Sequence, residues 1–363
     1  IIGIAGGDYN TRGFLDAYDV ETGARAWRLY TIPAAGEPGS ETWPNADAAS
    51  WGGGATWVTG AYDPELNLVY VGTGNPNPNF FGDDRKGDDL YTCSLLAIDV
   101  ATGKLKWHYQ FTPHDTHDWD STEVPILGSV KIDGRDRKVV MLANRNGFFY
   151  TLDRETGKLL VAKPFTTNAT NWAKEIGSDG RPVVVDELGT DDKCLPDFRG
   201  GTNFQPPAFN PERRLFFVTA RETCVVYTPR KPEKILPGGF SPSGSVRHVK
   251  DREQYGALRA INPATGKITW EHRYPGYPST VTLDLTGGVT TTASGLVFTG
   301  DNEGYLNAFD ADSGALLWRY QTGAPVWGAA PVTYMLDGRQ HVAVASGIAI
   351  ITFALPPSGA SAR

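Results

Sequence analysis

Residues 95–107 read LLAIDVATGKLKW. Apolar positions alternate up to Asp99, a Thr-Gly turn follows, and a second short strand ends in Trp107. Glycine supplies the positive φ that a tight hairpin turn requires, and the carboxylate before it can accept the turn amides. The same plan recurs in LDAYDVETGARAW (15–27), FYTLDRETGKLLV (149–161), LRAINPATGKITW (258–270) and LNAFDADSGALLW (306–318). A unit met five times in one chain makes repetition the dominant fact about its fold.

Between these hairpins lie others, at 61–74 (AYDPELNLVYVGTG), 208–220 (AFNPERRLFFVTA) and 291–301 (TTASGLVFTGD), so each repeat holds about four strands. The turn positions Asp19, Asp99, Asp153, Asn262 and Asp310 are spaced by 80, 54, 109 and 48 residues. The short spacings approach the roughly 40–50 residues of a propeller blade. The long ones place insertions at 28–50, 77–92, 166–202 and 226–256. The expectation is an all-β propeller, one partial domain over 1–363 with a C-terminal tail at 356–363. About five and a half blades fall in this chain. Because IIGIAGG (1–7) reads as the interior of a strand, further blades are expected on sequence upstream or on another chain.

Composition narrows the function. The 363 residues carry a net charge of −7 and no run of Lys or Arg, which argues against a nucleic-acid partner. No apolar stretch is long enough to span a membrane as a helix, and no signal peptide opens the chain. There are three cysteines. Cys194 and Cys224 flank one strand-rich segment and could pair, leaving Cys93, or all three could be reduced thiols. Without CxxC or CxxCH, covalent haem and cysteine zinc sites are excluded on this chain.

Chemistry gathers in TPHDTHDWDST (112–122), where Asp115, Asp118 and Asp120 crowd around Trp119. Together with the hairpins, four stretches resemble the quinoprotein alcohol dehydrogenases, eight-bladed propellers with tryptophan-docking repeats that hold pyrroloquinoline quinone (PQQ) and a metal ion. GGGATW followed by GTGNP places Trp57 at the floor under the quinone and Asn75 at the metal. TPHDTHDWDST places the catalytic base at Asp118, also a metal ligand, and an extra metal carboxylate at Asp120. NRNGFFYTLDR places Arg145 against the quinone oxygens. CLPDFRGGTNFQPP places Asn203 at the cofactor and sets Cys194 and Cys224 where members often carry a disulfide. The stretch GGDYNTRGFLDAYD adds Gly6 and Gly7 beside the cofactor and Asp8 to the metal.

The resemblance implies a periplasmic enzyme that oxidises a small alcohol to its aldehyde by hydride transfer to PQQ and passes electrons to a soluble cytochrome c; homodimerisation is compatible with it. The aspartate two residues after the base marks lanthanide-dependent members, so a lanthanide is favoured over Ca²⁺. A second register puts the base on Asp120 with Thr122 two residues on, which reads as calcium; the first needs no gap. His114 and His117 read as loop-packing residues, since a hard ion has little preference for imidazole. Two departures stand out. Asp8 replaces the family's glutamate and is shorter by about 1.5 Å, and Ala55 stands where a threonine is usual. The rival readings are a non-catalytic propeller acting as a binding or scaffold module, and a quinoprotein acting on sugars or polymeric alcohols.

Overall fold

The computed structural model describes residues 1–274 and 286–355; the expected tail at 356–363 lies outside the described residues. Each repeat hairpin forms as its sequence requires. In the sheet made of Ala61–Asp63, Leu68–Gly72, Ser94–Asp99 and Leu105–Gln110, every neighbour is antiparallel. A second sheet joins Ile126–Ile132, Arg135–Ala143, Phe148–Asp153 and Leu159–Pro164. A third joins Ala208–Asn210, Leu215–Glu222, Tyr255–Asn262 and Lys267–Arg273, and a fourth Val289–Thr291, Leu296–Gly300, Tyr305–Asp310 and Leu316–Gln321. Three-stranded sheets occur at each end, over 2–30 and 332–354. The Asp133-Gly134 and Asp337-Gly338 turns, with φ of 50°, 76°, 50° and 73°, close two further hairpins.

The turns share one bonding scheme. Asp99 accepts from the amide and hydroxyl of Thr102 at 2.9 and 2.8 Å, and Asp153 from those of Thr156 at 3.0 and 2.8 Å. Asp19 and Asp310 do the same with Thr22 and Ser313. The glycine that follows has φ near 70° in these turns for two reasons, the turn itself and the neighbour above it. A Cβ on Gly103 would fall 2.5 Å from the Trp27 ring, and one on Gly157 2.6 Å from Trp107. Trp27 and Trp107 thus dock on the turn of the next repeat, as Trp270 does on Gly314, and Trp27 Nε1 also donates to Val100 O at 2.9 Å.

The described chain divides into two compact units. One comprises 1–204, 222–254 and 263–267, the other 205–221, 255–262 and 268 onward. The core of the first is aromatic, with Tyr70, Phe111, Trp119, Phe148, Tyr150 and Trp172 all essentially buried. Its expected insertions contain only short elements, including the ribbons Ala173–Ile176 with Pro182–Val184 and Val225–Pro229 with Gly244–His248. Cys194, within 166–202, forms a disulfide with Cys224, which lies between the strands Leu215–Glu222 and Val225–Pro229, and Cys93 is a buried free thiol.

Candidate functional site

Six segments of the first unit converge on a cavity of about 350 Å³ lined by Gly6, Gly7, Asp8, Trp57, Asn75, Asp118, Asp120, Arg145 and Asn203. Every residue singled out in the sequence as a cofactor, metal or catalytic candidate therefore faces one space, together with Tyr9, Phe198 and Arg199. Asp8 sits on a single 3₁₀ turn, Gly7–Tyr9, flanked by left-handed Gly6 and Asn10. Buried Asn10 pins that turn by donating to Gly239 O at 2.7 Å, Ser241 Oγ at 2.8 Å and Leu236 O at 3.2 Å. Gly53, at φ 85°, lets the floor segment pass against the next one, since a Cβ there would fall 2.4 Å from Asn75 O.

The 112–122 loop separates structural from cavity-facing residues. Asp115 is buried and turns its oxygens inward, accepting from His117 N at 3.2 Å and Trp119 N at 3.0 Å. His117 stacks on Trp119 with centroids 4.0 Å apart and its Nε2 lies 2.7 Å from Glu187 O. His114 lies 2.9 Å from Gly87 O. Both histidines are thus packed into the loop. Asp118, at φ 66°, stands on the cavity side instead.

The three cavity aspartates differ in what holds them. Asp120 is saturated: Oδ1 accepts from Asn75 N at 2.6 Å, and Oδ2 accepts from Trp57 Nε1 at 2.8 Å and Arg145 Nη2 at 3.0 Å. Among the described residues no donor is bonded to the carboxylates of Asp8 or Asp118, nor to the side-chain oxygen of Asn75, whose Nδ2 donates to Pro76 O at 3.1 Å. Burial, then Asp8, then Asp120 push the Asp118 carboxyl well above its ordinary value, with Arg145 opposing. Asp8 keeps an exposed surface, yet enough protein surrounds it that desolvation, and then Asp120, raise its carboxyl as well.

Hard oxygen donors without protein partners, made costly by one another's charge, form the donor set that a hard cation relieves. No three His, Cys, Asp or Glu side chains among the described residues close around an ion by themselves, so the Asn75 amide is needed to complete such a set. For a flat quinone, Trp57 offers an indole with 36% exposure and Phe204 braces it edge-on at 6.0 Å. Arg145 is held with Nη1 2.9 Å from Asp118 O and Nη2 3.5 Å from Asn203 Oδ1. The side chains therefore fit both a planar anionic cofactor and a cation. Sequence reasoning missed Tyr9, Phe198 and Arg199 on the wall and Glu123 behind it. All four lie inside stretches that carry the motifs, but nothing in their spacing marks them.

Comparison with known proteins agrees with this geometry. The family model "PQQ: Glucose/ethanol/alcohol dehydrogenase, beta-propeller domain" matches residues 4–174 and 241–342. The unmatched 175–240 holds Phe198, Arg199, Asn203 and the disulfide. The quinoprotein alcohol dehydrogenase PedH of Pseudomonas putida is 38% identical over 96% of the chain. A lanthanide-dependent methanol dehydrogenase of Methylacidiphilum fumariolicum is 34% identical over 96%. A solved europium-containing methanol dehydrogenase superposes with a TM-score of 0.85 at 33% identity, over 96% of this chain and 63% of its own. The chain spans 61% and 60% of the two curated relatives. With its all-β repeats, its tryptophan-docked turns and a family match over most of its length, the chain belongs to the PQQ-dependent glucose/ethanol/alcohol dehydrogenase β-propeller family.

Proposed function

We propose that this chain carries the catalytic cavity of a PQQ-dependent alcohol dehydrogenase that oxidises small alcohols to aldehydes. The observation that carries the reading is the pair of unbonded carboxylates, Asp8 and Asp118, beside an exposed indole face and a clamped arginine. PQQ, when bound, supplies the two-electron acceptor that takes the hydride equivalent from the alcohol carbon. The protein supplies the rest. Asp118 has free lone pairs and an elevated proton affinity, so it takes the hydroxyl proton as that hydride leaves. Trp57 provides the face on which the ring lies. Arg145 and Asn203 present donors to its oxygens, and Gly6 and Gly7 allow close approach. Tyr9 and Phe198 narrow the wall and exclude water.

Asp8, Asn75 and Asp118 are the donors for the cation, and Asp120 adds a further charge beside them. Three carboxylates face this space, one of them paired with Arg145, and an anionic quinone adds further negative charge, which a trivalent ion balances better than Ca²⁺ in a partly dry site. The lanthanide-dependent relative supports the same choice. Asp120 spends both oxygens on Trp57, Asn75 and Arg145, which favours Asp118 over Asp120 as the base. A soluble cytochrome c as acceptor and a periplasmic setting complete the reading. The disulfide suits an oxidising compartment, and no helix among the described residues is long and apolar enough to cross a membrane.

The test reconstitutes the cation-free full chain with PQQ and either La³⁺ or Ca²⁺, then repeats it with Asp120→Ala. La³⁺-supported alcohol oxidation that disappears in the variant is expected. A parent active with Ca²⁺ alone, or a variant that keeps its La³⁺ activity, overturns the metal assignment. A parent that retains no PQQ under either ion overturns the function.

A further inference from the structure

Behind the cavity wall lies a carboxylate with no evident task. Glu123 is 3% exposed, and both its oxygens are buried without a hydrogen-bond partner. Among the described residues no other side chain buries two polar oxygens in this state. Such burial costs free energy and is expected to be compensated by some contact or function. The nearest charged group is Arg145, whose Nε stands 4.0 Å from Glu123 Oε1 and is itself buried and unbonded.

The donors of Arg145 are otherwise directed forward. Nη1 donates to Asp118 O at 2.9 Å and Phe198 O at 3.3 Å; Nη2 donates to Asp120 Oδ2 at 3.0 Å and Asn203 Oδ1 at 3.5 Å. Both Nη groups therefore lie on the cavity side, two of their four contacts being long, and the remaining donor, Nε, is unbonded with Glu123 Oε1 4.0 Å away. A guanidinium is planar, so fixing Nε–H from behind fixes the plane in which the forward donors lie.

We infer that Glu123 is a positioning residue for Arg145: a small approach of Oε1, 4.0 Å from Nε and like it unbonded, lets it accept from Nε–H and hold the guanidinium plane so that the Nη donors face the cavity. The inference rests on the reading of that cavity as a PQQ site. The role calls for an acceptor oxygen rather than a charge. Burial drives the Glu123 carboxyl well above its ordinary value, with Arg145 the main opposing influence, and a neutral carboxyl still offers a carbonyl oxygen to Nε–H. The isosteric amide should therefore serve nearly as well, and a side chain without an acceptor should not.

The experiment titrates PQQ into the cation-loaded full chain, following the quenching of tryptophan fluorescence. The variants are Glu123→Gln and Glu123→Leu, each with Arg145 and with Arg145→Lys, which lacks Nε. With Arg145 present, Glu123→Leu is expected to weaken PQQ binding about 10-fold, the scale on which supporting residues act. Glu123→Gln should stay within roughly 3-fold of the parent, and in the Arg145→Lys background Glu123→Leu should cost less than about 2-fold. Equal losses in both backgrounds, or no loss from Glu123→Leu, overturn the inference. Urea unfolding of the cofactor-free parent, Glu123→Leu, Arg145→Lys and the double variant is the second arm, and there the two substitutions must be non-additive. Additive effects overturn the inference even in a protein that binds PQQ normally. Failure of the parent to bind PQQ counts against the function instead, and the unfolding cycle then decides alone whether Glu123 and Arg145 act as a pair.

Discussion

The aspartates of the hairpin turns and those of the cavity are the same side chain put to opposite uses. In the turns of 15–27, 95–107 and 306–318, a carboxylate that keeps contact with solvent collects an amide and a hydroxyl from the residue three positions on. The hydroxyl of Thr22, Thr102 or Ser313 is the largest influence holding Asp19, Asp99 and Asp310 below the ordinary carboxylate range. In the cavity, Asp118 collects nothing, is crowded by Asp8 and Asp120, and is driven upward. Local hydrogen bonds make an acid serve the fold. Withholding them makes it a base and a ligand, at a cost in stability that the surrounding sheet has to carry.

The comparison breaks most visibly at Asp118. Asp118→Asn should reduce alcohol turnover by roughly 10³-fold, because it removes the group that takes the proton. It should also raise the thermal midpoint of the cation-free protein, because a crowded, unbonded charge has been removed. Stopped-flow turnover and calorimetry read the two effects. A variant that loses turnover and also loses stability would place Asp118 with the turn aspartates instead.

Trp57 tests how the cavity holds its one saturated aspartate. Trp57→Ala deletes the exposed indole face and the 2.8 Å bond to Asp120 Oδ2. PQQ retention should weaken by about 1–3 kcal/mol, the size of an aromatic contact plus its burial. Equal dissociation constants by equilibrium dialysis would show that the ring lies elsewhere.

The two regions were also unequally legible. Asp99, Thr102, Gly103 and Trp107 announce their hairpin because the interactions that define it are local, spanning a few residues. The hairpins closed at Asp133-Gly134 and Asp337-Gly338 carried an equally good turn dipeptide, but the flanking KID and RDRK of the first are too charged to read as strand. The cavity could not be read from spacing at all. Asp8, Asn75, Asp118, Arg145 and Asn203 come from separate turns, and only their match to the family's motifs grouped them. Glu123 escaped even that, since nothing in STEVPIL distinguishes a buried, unbonded glutamate from a solvated one. Its state depends on the packing of distant segments around it.

The smallest expected effect lies in the turns and concerns pH. Asp19, Asp99 and Asp310 have folded-state values below the unfolded one, so each binds fewer protons folded than unfolded over that interval. Their stabilising contribution is complete above the unfolded value, near 3.9, and is lost as pH falls through the depressed folded value. Changing all three to Asn keeps an oxygen that can accept from Thr22, Thr102 and Ser313 while removing the charge. The thermal midpoint at pH 7 should move little, and its fall between about pH 4 and pH 2 should become shallower than in the parent. A triple variant with an unchanged acid limb would mean that charge adds nothing to these turns and that the oxygen alone closes them. The raised value of Asp118 gives a dependence of the opposite sign, in which the cation-free protein loses stability as pH rises. Measured together, the two slopes separate the aspartates that hold the hairpins from those the hairpins hold in place.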